Sequence, residues 1–461
     1  MNISIIIPTY NSKENLQQTL LFISKQILGN KIKLEVIVID DGSNERSDEL
    51  ISRYREIIPN LIYIYRERDK LSCRAKARNI GIYNSTGDIL VFLDSGMLIP
   101  NYFILKVSEH FSRSRKLVVS HYLIGKSLDL TKDDITIAAN INPENIDEIC
   151  RNLINHPSWV DCRVGLFDMV NNNLSRYPAP WTVGYNTAAL TVDRNLVLSV
   201  GGFDESFMGW GGEDVDFCYR IFKKKAKFIS EQKAYAFHLP HRQLETMDEK
   251  IKNNVINLKK MHKKNNSFET ELFLNCPYTL DFNLMLHRFN CLDICHLIPK
   301  YEDKIIEYVN STFESEGNNL LIGYNGDNWL SKSIYSHFFV HNKKIQQKLE
   351  KCLENIRIHY MLGCDTPFDD YFFNVTVVTD FHRYFEPAVL EAFIKETVRI
   401  SKKVYFVHTM DLNPVIKRIE RMEWTSHASL LEKASKLGLN YKTINLDSKI
   451  KLSIISKESI T

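Results

Sequence analysis

No run of apolar residues in this 461-residue chain approaches the length of a bilayer-crossing helix, so no transmembrane segment is expected. Charge of one sign is lacking as well. The 59 basic and 56 acidic residues leave a net charge of +3, so bulk electrostatics favours neither nucleic acid nor an anionic membrane as the main partner. Metal-ligand spacing is missing from the cysteines: nine are dispersed along the chain, and the closest pair, Cys291 and Cys295, encloses apolar residues of helical character. An odd, scattered set fits a reducing cytoplasm better than a disulfide framework. The N-terminus has no basic stretch and no small-residue cleavage site. Met1-Asn2 runs directly into Ile3-Ser4-Ile5-Ile6-Ile7, which reads as a first strand rather than a signal peptide.

What remains is ordinary globular composition, 44% hydrophobic and 25% charged, with length for two or three domains. Short β-branched runs at 3–7 and 34–39 flank a helical pattern over 13–26. A further strand at 61–65, a helix over 74–83 and a strand at 89–93 follow. This alternation predicts buried parallel strands with crossover helices, and in such sheets ligands collect beyond the carboxyl ends of the strands. The tips Pro8-Thr9-Tyr10-Asn11, Asp40-Asp41-Gly42-Ser43 and Asp94-Ser95-Gly96 therefore form one candidate mouth, although Asp40, Asp41 and Ser43 also suit helix capping. From 123 to 180 the pattern weakens, as in a long lid or a segment that shapes acceptor specificity. The basic stretch 253–267, with Lys259-Lys260-Met261-His262-Lys263-Lys264, reads as a loop-like, solvated linker. Few aromatics interleave it, which argues against a nucleic-acid patch.

The most informative stretch is Gly209-Trp210-Gly211-Gly212-Glu213-Asp214-Val215-Asp216. Glycines without a Cβ let backbone approach a ligand, and three clustered acids repel one another unless a cation or an acceptor hydroxyl sits among them. Carboxylates behind a glycine-lined opening suit deprotonation of an attacking hydroxyl; a solvated acidic helix N-terminus is the plainer alternative.

Taken in order, six pieces resemble the family 2 glycosyltransferases of GT-A fold, with a galactosyltransferase-like later part as in chondroitin-polymerase and β-1,4-galactosyltransferase enzymes. They are Ile5-Ile6-Ile7-Pro8-Thr9-Tyr10-Asn11, Val38-Ile39-Asp40-Asp41-Gly42-Ser43, Ala75-Lys76-Ala77-Arg78-Asn79-Ile80-Gly81, Gly87-Asp88-Ile89-Leu90-Val91-Phe92-Leu93-Asp94, Gly201-Gly202-Phe203-Asp204-Glu205 and the run 209–220. The resemblance implies that Pro8, Tyr10, Asn11 and one of Asp40 or Asp41 hold the nucleotide of a UDP-sugar, supported by Arg78 and Asn79. Ser95, Trp210 and Gly211 would complete the donor site. Asp94 would open a metal motif for Mn²⁺ or Mg²⁺, with His238 as a later ligand, Asp214 as catalytic base and Glu213 orienting the acceptor. A single base with no covalent partner implies inversion. The metal motif departs from the family pattern, because Gly96 stands where a second carboxylate is usual, so the ligand set is weakened.

The second half alternates again, with apolar runs at 319–322, 356–360, 373–378 and 404–407. Its order is similar to class I S-adenosylmethionine-dependent methyltransferases, through the Pro367-Phe368-Asp369-Asp370 approach to the fourth strand and the late Lys436-Leu437-Gly438-Leu439. The glycine loop is eroded: only Gly323 is in register, with Asn325 and Asp327 at the other glycine positions, and His341 replaces the ribose-binding acid. S-adenosylmethionine is therefore not expected to bind, and Asp380 and His382 read as structural. The expected organisation is a GT-A domain at 1–265, a helical connector at 266–310 and a non-catalytic, methyltransferase-like α/β domain at 311–461. The expected activity is inverting transfer of a hexosyl or N-acetylhexosaminyl group to a glycan, lipid-linked or peptide acceptor, in the cytoplasm, with a peripheral place at the inner membrane face left open. A bifunctional glycosyltransferase/methyltransferase and a non-catalytic carbohydrate-binding scaffold are the alternatives.

Overall fold

The computed structural model describes residues 1–125, 131–154, 156–240, 246–276, 279–294, 302–312, 317–323, 334–409 and 425–460. The chain divides into two compact units, 1–261 and 262–461, and both are α/β. No helix among the described residues is long and apolar enough to cross a membrane.

In the first unit the elements run β1 (Asn2–Thr9), α1 (Lys13–Ser24), β2 (Lys33–Asp40), α2 (Asp48–Arg55), β3 (Leu61–Tyr65), α3 (Arg74–Asn84), β4 (Ile89–Leu93), β5 (Met97–Leu98), α4 (Phe103–Arg113) and β6 (Leu117–Ile124). There follow α5 (Lys132–Asn140), α6 (Ile146–Leu153), α7 (Val164–Met169), β7 (Ala189–Asp193), α8 (Arg194–Ser199), α9 (Glu213–Lys223), β8 (Lys227–His238) and α10 (Met247–Asn265). Eight strands make one sheet in the order β3-β2-β1-β4-β7-β6-β8-β5. The first four are parallel, and β1, β2 and β4 carry the apolar runs of strands buried on both faces, while the edge strand β3 is partly exposed. Ile3, Ile5 and Ile7 of β1, Val36 and Val38 of β2 and Val91 of β4 share one core with Leu16, Leu20 and Ile23 of α1. The chain leaves β1 towards β2 and β3, then returns to place β4 on the other side of β1. That reversal opens a crevice at the carboxyl ends of β1 and β4.

The segment after β6 carries three α-helices. Its anchor is Arg163, 7% exposed, whose guanidinium donates to both oxygens of Asp161, to Ser120 Oγ and to the carbonyls of His121 and Val183. The basic stretch expected as a linker is also ordered. It falls in α10, where Leu258 and Met261 are buried and Asn257 spends its amide on the carbonyls of Met208 and Gly211. Asparagine and lysine hide the helical period there, and tertiary packing supplies the stability that propensity does not.

The second unit contains α11 (Phe268–Asn275), α12 (Thr279–Ile294), α13 (Glu302–Thr312), β9 (Asn319–Ile322), β10 (His337–Val340), α14 (Lys343–Cys352), β11 (Arg357–Tyr360), β12 (Phe373–Val378), α15 (Pro387–Ile400) and β13 (Ser401–Thr409). A helix His427–Lys436, β14 (Asn440–Asp447) and β15 (Ile450–Ser456) complete it. Cys295, Asn325 and Asp327 lie outside the described residues. The sheet order is β11-β10-β9-β12-β13-β15-β14, with β15 antiparallel to both of its neighbours. Glu271 of α11 is 1% exposed, and its carboxylate accepts the backbone N–H groups of Leu362, Gly363, Cys364 and Asp365. Glu271→Gln turns one acceptor into a donor facing those N–H groups. It is expected to cost about 2–3 kcal/mol, read as a lower Tm of the second unit by calorimetry.

Candidate active site

The crevice is built from four loops that hold one another. After β1, Asn11 takes a left-handed backbone (φ +48°), donates its N–H to Ser43 Oγ at 2.9 Å and accepts the Asn44 N–H at 2.8 Å. Asp41 N donates to Thr9 O at 2.9 Å, so the tips of β1 and β2 move as one. Asp40 is wholly buried. It accepts Ser43 N at 2.8 Å and the Tyr63 hydroxyl at 2.7 Å, and its carboxylate is committed to shaping the loop. Asp41 lies between the guanidinium groups of Arg66 and Arg68. Burial raises its pKa, and the two arginines oppose that rise. Arg68 also covers the Tyr10 ring at 3.9 Å. Pro8 is the penultimate residue of β1, next to the tip.

Arg78 joins this mouth to the acidic stretch. It is 2% exposed and donates to Asp94 Oδ1 at 3.0 Å and to Glu213 Oε1 at 3.2 Å. The strand-tip aspartate and the first acid of α9 thus share one buried cation. Asn79, its neighbour on α3, faces elsewhere. It accepts Phe203 N at 2.8 Å and donates to Phe203 O at 2.9 Å and Glu205 Oε1 at 2.8 Å, fixing the turn that leads to the glycine loop. Asp94 remains about one-third exposed, and Ser95 Oγ donates to Ser12 O at 3.4 Å.

Gly212 precedes α9 at φ +89°, and a Cβ there would stand 2.7 Å from Asn257 Cβ; glycine is required on both counts. Half-exposed Trp210 lies in the same loop beside Gly211, with Lys250 Nζ 5.7 Å from its ring centre. The three acids then separate by role. Asp216 accepts Arg220 Nε at 2.7 Å and is structural. Glu213 pairs with Arg78 through one oxygen, and its buried Oε2 has no hydrogen-bond partner among the described residues. The Asp214 carboxylate accepts the adjacent Val215 N–H at 2.9 Å and a backbone hydrogen bond from its own residue. Burial, and then the Glu213 charge, push its pKa up to about 8 against the pull of Arg78. Tyr185, pushed up to about 12 by burial and next by Asp214, stands close to that carboxylate.

Arg66, Arg68 and Tyr185 are absent from the sequence reading. The two arginines sit just past the third strand, where the strand-tip rule already applied; Tyr185 carried no local signal. As for a metal, His238 pairs with Met97 in the sheet and Leu239 N donates to Gly96 O, so His238 and the Asp94 turn are near one another. Yet no group of three or more His, Cys, Asp or Glu side chains able to hold an ion occurs among the described residues. One Asp94 oxygen is already engaged by Arg78. The side chains of the described residues alone do not make a metal centre.

Arg78→Met should leave Asp94, Glu213 and Asp214 without their shared cation. About 3 kcal/mol of stability should be lost, and because Arg78 lowers the Asp214 pKa, the acidic limb of the pH–rate profile should move upward.

The sequence model for glycosyl transferase family 2 matches residues 4–172, and that for the N-terminal domain of galactosyltransferase matches 171–242. The two matches run on from one another, so a glycosyltransferase family 2 segment is continued by a galactosyltransferase-like one. Validoxylamine A glucosyltransferase of Streptomyces hygroscopicus subsp. limoneus is 28% identical to this chain over 274 residues, 59% of the chain and 58% of the relative. Chondroitin synthase of Escherichia coli is 29% identical over 248 residues, 51% of this chain and 34% of that protein. The chain therefore spans roughly a third to three-fifths of these relatives' length. Among solved structures, S. aureus TarS 1-349 in complex with UDP-GlcNAc aligns with a TM-score of 0.41 at 17% identity, covering 60% of this chain and 71% of that one.

Proposed function

We propose that this glycosyltransferase transfers a hexosyl or N-acetylhexosaminyl group from a UDP-sugar to an acceptor hydroxyl with inversion. The observation that carries the reading is Arg78 bridging Asp94 and Glu213, which puts Asp214 in the same crevice as the tips of β1, β2 and β4. In this proposal the nucleotide lies along Tyr10, Asn11 and Asp41, and half-exposed Arg68 supplies positive charge beside the diphosphate. The acceptor oxygen attacks the anomeric carbon while the bond from that carbon to the phosphate oxygen breaks, and UDP departs with the electron pair. The acceptor proton passes to Asp214, whose raised pKa suits a base working near neutral pH.

A divalent ion enters this proposal only as a companion of the donor diphosphate, a hard cation held by phosphate oxygens. The acceptor in this reading is a glycan, a lipid-linked sugar or a peptide hydroxyl. UDP release, measured over a panel of nucleotide sugars with and without Mn²⁺, tests the assignment. Release from one or two UDP-sugars is expected, and none from any donor would overturn it.

We further infer that the second unit does not use S-adenosylmethionine. Gly323, at the tip of β9, has Phe381 and Thr379 side chains where a Cβ would point, within 2.3 and 2.6 Å. Its carbonyl accepts the Thr379 hydroxyl at 2.7 Å. The glycine is thus required by internal crowding. Tight binding of the cofactor by calorimetry would refute this inference.

A further inference from the structure

Helix α10 has an outward face that catalysis does not use. Met247, Ile251, Val255 and Ile256 on that helix are 48, 56, 43 and 51% exposed, and Met208 and Trp210 on the loop it supports are 38 and 40% exposed. Met247, Ile251 and Val255 are spaced by four and so stack along one stripe. Single exposed apolar residues are ordinary, but six within one helix and its adjoining loop call for an occupant. Exposed Lys252 and Lys259 accompany the stripe, and Lys250 stands over the Trp210 ring. The acids Asp248 and Glu249 are confined to the first turn, where Glu249 is tied to Thr246, so the rest of the helix carries only positive charge.

We propose that this face seats on an anionic lipid bilayer. Apolar side chains with a tryptophan at one edge and lysines alongside have the composition of a helix lying among headgroups. The attraction is local, since the chain as a whole carries only +3. Seating here would also hold the glycine loop, and the crevice entrance beside it, close to the bilayer surface.

Co-sedimentation of the full chain with vesicles of phosphatidylcholine, alone or with roughly a third phosphatidylglycerol, tests the proposal. Binding is expected to the anionic vesicles only, and it should disappear in about 1 M salt, where screening shortens to about 3 Å. The double variants Ile251→Asp with Val255→Asp, and Lys252→Glu with Lys259→Glu, should each weaken binding by about tenfold or more. Both should keep the parent's circular dichroism and its UDP release without vesicles. Equal binding to neutral vesicles, no binding to either kind, or undiminished binding by the variants would overturn the proposal. A loss of self-association in light scattering, with vesicle binding unchanged, would instead make this face a contact between protein chains. Because UDP release is read separately, failure here leaves the transfer reaction standing, and the reverse also holds.

Discussion

Asp214→Asn is expected to lower kcat by about 10³-fold, within the range by which a positioned base accelerates proton transfer, while nucleotide affinity stays at the parent's value. The amide has almost the same shape and can still accept the Val215 N–H, but it cannot take the acceptor proton. Single-turnover kinetics with a saturating donor, paired with calorimetric titration of UDP, separates the two quantities. Full turnover by the variant would dismiss Asp214 as the base. The parent's pH profile should bear the same signature. A base whose pKa is pushed up to about 8 is protonated at lower pH, so kcat/KM should climb about tenfold per pH unit up to that point and then level off. Glu213→Gln should shift this limb downward, because the Glu213 charge is a leading reason that Asp214 holds its proton.

The second large effect concerns stability. His337, His382 and His408 are 2, 0 and 5% exposed, and burial first of all holds their pKa values down, at about 4, about 3 and about 2. Each is neutral in the folded chain and takes up a proton on unfolding once the pH is below the ordinary value of 6.5. Their contribution is therefore intact above 6.5 and is lost as pH falls below it, by about 1.4 kcal/mol per unit for each residue until its folded pKa is reached. At pH 5 the three together should remove on the order of 4–6 kcal/mol. Glu271 and Asp380, whose buried carboxyls have raised pKa values, work in the opposite sense and limit the loss as acidity increases. Differential scanning calorimetry from pH 7.5 to 5 should show the transition of the second unit moving down well ahead of the first, which has His121 as its comparable buried histidine. A pH-independent transition would mean that these imidazoles titrate normally.

The parallel strands of both units were legible because burial on two faces leaves an unbroken β-branched run that few other structures share. The strand tips followed from topology, and the acidic stretch from the rarity of its glycines and carboxylates. What could not be read was set by distant partners. Arg78 showed its function only when α3 brought it between Asp94 and Glu213, which lie 16 and 135 residues away in sequence. Asp40 and Asp41 are adjacent and chemically alike, yet one is consumed by Ser43 and Tyr63 while the other meets two arginines. Helix α10 escaped notice because, with only Leu258 and Met261 buried as apolar contacts near its end, much of its packing surface is asparagine fitted under glycines.

That last contact decides where a minimal fragment can end. The galactosyltransferase match stops at residue 242, but the loop that presents Asp214 rests on Asn253, Asn254 and Asn257 further along. A truncation at the edge of the recognisable domain would keep Asp94, Glu213 and Asp214 and discard the asparagines on which their loop rests.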